Sequence, residues 1–234
     1  GIVLRPLEGL MPPERVHELL VACERRGGLV SHRRLASGKE SPYEINISWW
    51  SAMADGGVDP SHLQLQRFLL SQLLVMALPG VPAFYLPALV AAANDMKQFR
   101  STGHRRDLNR PKFQAERLER QLADPDQPAS KILKRLQAAM ELRSQRPAMD
   151  PEAPMELLSS DRSDVVILKR GTQSQALWAV HNFSNRRLSF PLAKRLQLPT
   201  DTAKLSWSDA LSGSTIGGPY LELEPFAVHW LELG

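Results

Sequence analysis

The sequence predicts an α/β region followed by an all-β region, and three features carry that reading. Residues 61–86 run from a long apolar helix through a proline-glycine stop into a short apolar stretch. From about residue 155 onward, runs rich in Val, Leu, Trp and Phe alternate with turn formers. Between the two regions lie Pro147, Pro151 and Pro154, which read as a linker. With 234 residues, 43 % of them hydrophobic, the chain can bury one large core or two modest ones.

In the first region, Pro12-Pro13-Glu14 opens a helix predicted through Arg25, with proline and an acid in its first turn and Gly27-Gly28 just past its end. Ser61 to Ala77 is the strongest helix. Its second half, Phe68-Leu69-Leu70 and Leu73 to Ala77, is apolar nearly all round, which predicts burial on most sides. Pro79-Gly80 stops it, and Val81 to Leu86 has the length and composition of a buried strand. A long apolar helix followed at once by a buried strand is the pattern of a parallel α/β fold, so 81–86 is expected to run parallel to a strand at 2–4. Ala129 to Arg143 is an amphipathic helix with Leu133, Leu136 and Met140 on one face. In the second region, strands are predicted at Asp164–Lys169, Ala176–Asn182, Arg187–Pro191 and Leu221–Leu233. Gly171, Asn182 to Asn185 and Ser212-Gly213 are the turns of a small antiparallel sheet or sandwich. The expected division is residues 1–150, with an excursion at about 10–58, and residues 155–234.

Composition excludes several classes of function. The longest apolar run, Leu73 to Leu78, is too short to cross a bilayer. The start, Gly1-Ile2-Val3-Leu4-Arg5-Pro6, has no signal-peptide pattern and no Met, so residue 1 is not expected to be the natural start. Cys23 is the single cysteine, which fits a reducing cytoplasm. No Cys/His cluster has metal-ligand spacing, and no metal site is expected. The net charge is +4, but the basic pairs Arg25-Arg26, Arg33-Arg34, Arg105-Arg106 and Arg186-Arg187 lie far apart. Solvated surface and isolated anion contacts explain them better than nucleic-acid binding.

Glycine-rich phosphate loops, zinc-protease motifs and nucleophile elbows are missing. Two segments nonetheless carry chemistry. Glu40-Ser41-Pro42-Tyr43-Glu44-Ile45-Asn46, ahead of Trp49-Trp50, either presents hydrogen-bonding groups to a polyol or forms a turn shaped by Pro42 and Asn46. Asn94-Asp95 and Thr102 to Pro111 place three arginines, Asp107 and His104 after the 81–86 run. Guanidinium donates in a rigid fork, so this segment suits a phosphate or sugar hydroxyls; otherwise it is a solvated charged loop. His104 reads as an incidental surface residue. Trp178, Trp207 and Trp230 read as core aromatics before sugar-stacking ones.

These two segments also resemble a known family. Tyr43-Glu44-Ile45-Asn46, Leu78-Pro79-Gly80-Val81-Pro82-Ala83-Phe84-Tyr85, Asn94-Asp95-Met96 and Arg105-Arg106-Asp107-Leu108-Asn109-Arg110 resemble motifs of the sucrose-phosphorylase group of the α-amylase superfamily, with order and spacing agreeing without gaps from Asn94 to Arg110. Arg105 stands where that family has glycine. The opening Gly1-Ile2-Val3 is similar to the residues directly after the family's transition-state-stabilising Asp, and Leu223 to Leu231 resembles its last strand. The resemblance implies the C-terminal part of a (β/α)₈ barrel followed by the small antiparallel domain. It implies a retaining enzyme that transfers glucose from an α-glucoside to phosphate, giving α-glucose 1-phosphate. Inorganic phosphate is then a co-substrate and no cofactor is needed; the partners are a small sugar and phosphate, with no nucleic acid and no membrane. The nucleophilic Asp, the acid/base Glu and the stabilising Asp are expected upstream of Gly1, so no catalytic residue is expected in this chain and the chain alone should be inactive. Substrate-binding roles carry over to Tyr43 and Glu44, on the acceptor loop, and to Arg106, near the glucose subsite and paired with a barrel Asp. Ser41 and Pro42 replace an Asp-Leu of the family, and Glu44 replaces the Gln usual in enzymes for sucrose. Glucosylglycerate or sucrose 6-phosphate is therefore favoured over sucrose. The rival expectations are a related hydrolase or transglucosidase, and a non-catalytic sugar-binding or interaction module.

Overall fold

The computed structural model describes residues 1–55, 61–172, 175–192, 196 and 206–233. The chain forms two compact units, one of Gly1–Gln64 and Phe84–Leu133, the other of Leu65–Ala83 and Lys134–Gly234.

In the first unit, β1 (Ile2–Val3), β2 (Leu29–Arg34) and β3 (Glu40–Asn46) make an antiparallel sheet in the order β1-β3-β2. Helix α1 (Pro13–Arg25) forms where the prolines and Glu14 predicted it. Gly27 ends it at φ +79°, and Gly28 then runs so close that a Cβ there would lie 2.9 Å from the Cys23 carbonyl oxygen. Leu4, Leu20, Cys23, Ile45 and Ile47 are the buried centre under this sheet. The unit continues through α2 (Trp49–Ala52), the first residues of α3 (Ser61–Ala77), then α4 (Leu86–Leu89), α5 (Met96–Thr102), a 3₁₀ turn at Arg105–Asn109, α6 (Ala115–Ala123) and the start of α7 (Pro128–Ser144).

The second unit is built on a six-stranded antiparallel sheet. Its strands β4 (Met155–Leu158), β5 (Val165–Arg170), β6 (Leu177–Asn182), β8 (Trp207–Asp209), β9 (Ser214–Ile216) and β11 (Val228–Leu233) run in the order β4-β5-β6-β11-β8-β9. A ribbon of β7 (Leu188–Pro191) and β10 (Tyr220–Leu223) closes one face. Trp178, Val180, Phe190, Trp207, Leu221 and Leu223 fill the space between sheet and ribbon. There Trp178 and Trp207 meet edge to face at 5.4 Å. With Trp230 wholly buried as well, all three tryptophans are core residues.

The antiparallel β region is as the sequence predicts, with the 221–233 run split by a tight turn at Glu224–Ala227 in which Phe226 takes φ 55°. The short β4, β8 and β9 have no clear pattern in the sequence. Two expectations are corrected. Residues 81–85 form no strand, Val81 is 83 % exposed, and every strand pair among the described residues is antiparallel. Pro79 and Pro82 have no N–H to donate, and no described strand lies alongside to accept or donate. The expected parallel partner, β1, instead pairs antiparallel with β3. The proline cluster is not a loose linker either: Ala148 and Met149 are buried, and Gly80 N–H donates to the Pro151 carbonyl at 3.0 Å.

What fastens the cluster is a pair of buried guanidiniums. Arg170, fully buried on β5, donates to the carbonyls of Ala77 (2.9 Å), Asp150 (2.7 Å) and Ala153 (3.3 Å). Arg143 on α7 donates to Met76, to Leu78 (3.4 Å) and to Gly80 (2.6 Å). The last carbonyls of α3 have no partners within the helix and carry its negative end, so two cations satisfy both needs at once. Burial lowers the pKa of both groups, and in Arg170 the nearby Arg143 adds to it.

His181, wholly buried on β6, is held to a pKa of about 4 by burial, against the nearby backbone groups of Val166, Ala179 and Leu73. Its folded-state value lies below the unfolded one near 6.5, so the unfolded chain takes up the proton first as pH falls. This contribution is complete above about pH 6.5 and is lost between there and about pH 4, amounting to about 3 kcal/mol. Asp209 titrates lower. Burial would raise its carboxyl, but hydrogen bonds from His229, Ser212 and the Trp230 N–H hold it below the ordinary value. Urea unfolding at a series of pH values should show the first decline, and His181→Phe should flatten it. A slope unchanged in the variant would assign the decline elsewhere.

Candidate functional site

The candidate site lies in the first unit, where β3 meets the segment 94–110. β3 is the central strand, pairing Ile2 with Ile45 and Val3 with Glu44 on one side, and Val30 with Ile45 and Ser31 with Glu44 on the other. Beyond Ser31 the register shifts, and the next pair is His32 with Pro42. Tyr43 is therefore the extra residue of a β-bulge, a device that re-aims side chains. The half-buried Tyr43 gives its carbonyl oxygen to the Leu4 N–H at 3.1 Å. Asn46, fully buried, donates to the Leu29 carbonyl at 3.3 Å and to Ser31 Oγ at 2.8 Å, fixing the hairpin across its strands.

The segment 94–110 folds back on itself, with Asp95 N–H donating to the Leu108 carbonyl at 2.8 Å. Asn94 is a structural stitch. Its Oδ1 accepts from Ser48 N–H at 2.8 Å, and its Nδ2 donates to the carbonyls of Arg26 and Gly27. Asp95 caps α5 by accepting from Gln98 N–H at 2.8 Å. Thr102 donates to Asp107 at 2.7 Å, and Leu108 and Asn109 anchor the 3₁₀ turn in the interior. With its amide turned to satisfy both neighbours, Asn109 donates to the Arg106 carbonyl at 3.0 Å.

From that turn, adjacent arginines reach the two strands of the hairpin. Arg106 Nη2 donates to Glu44 Oε2 at 3.3 Å, and Arg105 Nη1 donates to the Val30 carbonyl. The Glu44 side chain is 12 % exposed and that of Arg106 is 55 % exposed. A shielded carboxylate thus faces an open guanidinium, whose remaining N–H groups can meet a ligand.

Glu44 and Arg106 are brought together, with Tyr43 next to Glu44 at the bulge. Arg106 pairs with Glu44 here, whereas the sequence expectation gave it a barrel Asp. His104 and Arg110 are exposed. A groove of about 800 Å³ is lined by Asn94, Asp95, Gln98, Lys112, Phe113 and Arg117 among others, and none of Tyr43, Glu44 and Arg106 lines it. Arg105 is the contact that the sequence did not single out. Its side chain acts on a backbone carbonyl, and no residue pattern announces such a partner.

No protein-family model matches the chain. Its fold is similar to parts of solved α-amylase-superfamily enzymes. Sucrose 6F-phosphate phosphorylase from Thermoanaerobacter thermosaccharolyticum superposes with a TM-score of 0.61 at 19 % identity, over 76 % of this chain and 33 % of that one. The α-amylase of Geobacillus thermoleovorans superposes at 0.56, with 18 % identity, over 81 % of this chain and 37 % of that one. By sequence the chain is a homologue of the sucrose-phosphorylase group of that superfamily. It is 33 % identical over 187 residues to the glucosylglycerate phosphorylase of Allomeiothermus silvanus, covering 80 % of this chain and 33 % of that protein. To the glucosylglycerate phosphorylase of Escherichia coli it is 26 % identical over 232 residues, 99 % of this chain and 40 % of that one. The chain thus spans a third to two-fifths of the length of these curated relatives.

Proposed function

We propose that this chain is part of a longer retaining α-glucosyl phosphorylase and carries its acceptor loop and one of its glucose contacts. The reaction transfers glucose from glucosylglycerate, sucrose 6-phosphate or sucrose to inorganic phosphate, releasing α-glucose 1-phosphate. The observation that carries this reading is the Glu44–Arg106 pair. It joins two motifs 62 residues apart, each of which the family resemblance assigns to the sugar or its acceptor. The two named relatives act on glucosylglycerate by their names, which favours that substrate.

In a retaining mechanism a carboxylate attacks the anomeric carbon while a second carboxyl, about 5–5.5 Å away, protonates the leaving oxygen. Phosphate then displaces the carboxylate and the configuration is kept. The two carboxyls, with the stabilising Asp, are contributed by sequence outside this chain. What the chain supplies is Tyr43 and Glu44 to meet the leaving group or phosphate, and Arg106 to hold glucose. No metal or organic cofactor takes part, the protein works in the cytoplasm, and its ligands are small molecules. Among the described residues no helix is long and apolar enough to cross a membrane.

The test is to supply the longer protein with glucosylglycerate, sucrose 6-phosphate or sucrose, with and without phosphate, and to assay glucose 1-phosphate. Phosphate-dependent product is expected with at least one of the three. The 234-residue chain alone should give none, because loss of even one member of a catalytic unit costs orders of magnitude. Free glucose without glucose 1-phosphate would make the protein a hydrolase and overturn the reading.

A further inference from the structure

Arg105 is exposed, yet its guanidinium donates to a backbone carbonyl of β2, 75 residues earlier in the chain. Among the described residues β2 is an edge strand of the sheet, with β3 on its inner side only. Edge carbonyls that face outward have no ladder partner, and covering them removes both a polar orphan and a site for wrong pairing. Val30 is the residue before Ser31, and Ser31 is where the register slips to create the bulge at Tyr43. Ser31 is also the cross-strand partner of Glu44. Arg105 therefore grips β2 one residue from the pair that fixes Glu44, while Arg106, from the same turn, holds Glu44 itself. Their base is firm, because Leu108 and Asn109 anchor the turn in the interior.

We propose that Arg105 is a positioning residue for the acceptor loop: through Val30 it holds the bulge, and so sets where Tyr43 and Glu44 point. Two arginines from one 3₁₀ turn clasp both strands of the hairpin. Without the Arg105 half, β2 can shift at the bulge while β3 stays tied to β1 through Ile45 and Glu44. A lysine at 105 could donate to one carbonyl but lacks the planar fork, so it would restore only part of the hold.

The role attributed to Tyr43 and Glu44 rests on the function proposed above, so the test has two arms. In the first, amide hydrogen exchange is followed in the 234-residue chain and in Arg105→Ala. Amides of residues 29–34 and 40–46 should exchange about five-fold faster in the variant, as expected for one lost charge-assisted hydrogen bond at the surface, with β5 and β6 unchanged. In the second, the longer enzyme carrying Arg105→Ala should show KM for phosphate or the sugar acceptor raised about five-fold, with a smaller change in kcat, and Arg105→Lys should recover part of it. Unchanged exchange would overturn the clasp. Faster exchange with unmoved acceptor KM would overturn the positioning role while leaving the clasp in place. If the longer wild-type protein makes no glucose 1-phosphate, the function proposed above fails, and the exchange arm still decides the clasp.

Discussion

Replacing Arg106 by Ala in the longer enzyme is expected to lower kcat/KM about ten- to a hundred-fold for every glucosyl donor alike, because all of them present the same glucose. The same change should cost the isolated chain less than about 1 kcal/mol, since the guanidinium is more than half exposed and its ion pair with Glu44 is screened. That contrast separates a ligand contact from a structural one. Glu44→Gln should act on the other half of the reaction. A carboxylate only accepts hydrogen bonds and repels an incoming anion, whereas the amide can also donate. Acceptor preference should therefore move, toward fructose or toward faster use of phosphate, while donor recognition stays. Steady-state kinetics with glycerate, fructose and fructose 6-phosphate as acceptors for glucose 1-phosphate would show it. Equal slowing of all acceptors by Glu44→Gln, or an Arg106→Ala defect limited to some donors, would reverse the assignment.

The largest effect on stability is expected from Arg170→Ala. The substitution strips the buried or half-buried carbonyls of Ala77 and Ala153 of the guanidinium donor, while that of Asp150 still accepts from the Ala153 N–H at 3.0 Å. Leaving buried acceptors unpaired costs about 1–3 kcal/mol each, and loss of the packed side chain adds to it, so a total of about 3–5 kcal/mol is expected. Arg170→Lys should recover little, because one ammonium cannot span carbonyls from two segments. Urea unfolding followed by fluorescence of Trp178, Trp207 and Trp230, with Trp49 and Trp50 of the first unit changed to Phe, would read the second unit. A loss under about 1 kcal/mol would mean that the carbonyls find other donors.

Most of the local structure was legible because it is written in local chemistry. α1 begins at Pro13 with Glu14 in its first turn, α3 spans Ser61–Ala77, and α7 spans Pro128–Ser144, one residue wider at each end than its apolar face indicates. The strands at β5, β6 and β7 fall within a residue of the apolar runs that marked them. What failed was inference about partners. The stretch 81–85 has a strand's composition, but a strand is completed by neighbours, and none stands beside it among the described residues. Prolines 147–154 have a linker's composition, yet Arg143 and Arg170 supply donors to the carbonyls there and at the end of α3. At the site, Tyr43, Glu44 and Arg106 were singled out through the family motifs, and Glu44 and Arg106 lie together. The ion pair between Glu44 and Arg106 was not legible, because a contact across 62 residues leaves no periodic trace. Asn94, at the head of the segment read for ligand chemistry, is a stitch between chain segments.

The grip of Arg170 also bears on how this protein can be taken apart. The prolines between 147 and 154 invite a gene to be trimmed there, to express the β-rich part by itself. A cut at residue 154 would remove Asp150, Ala153 and the end of α3 from the guanidinium that binds them, and bare a buried cation on β5. An expressed piece starting at 155 should then be insoluble or readily degraded, however complete its strands. A protease added to the intact chain should, for the same reason, pass over the prolines that look most open to it.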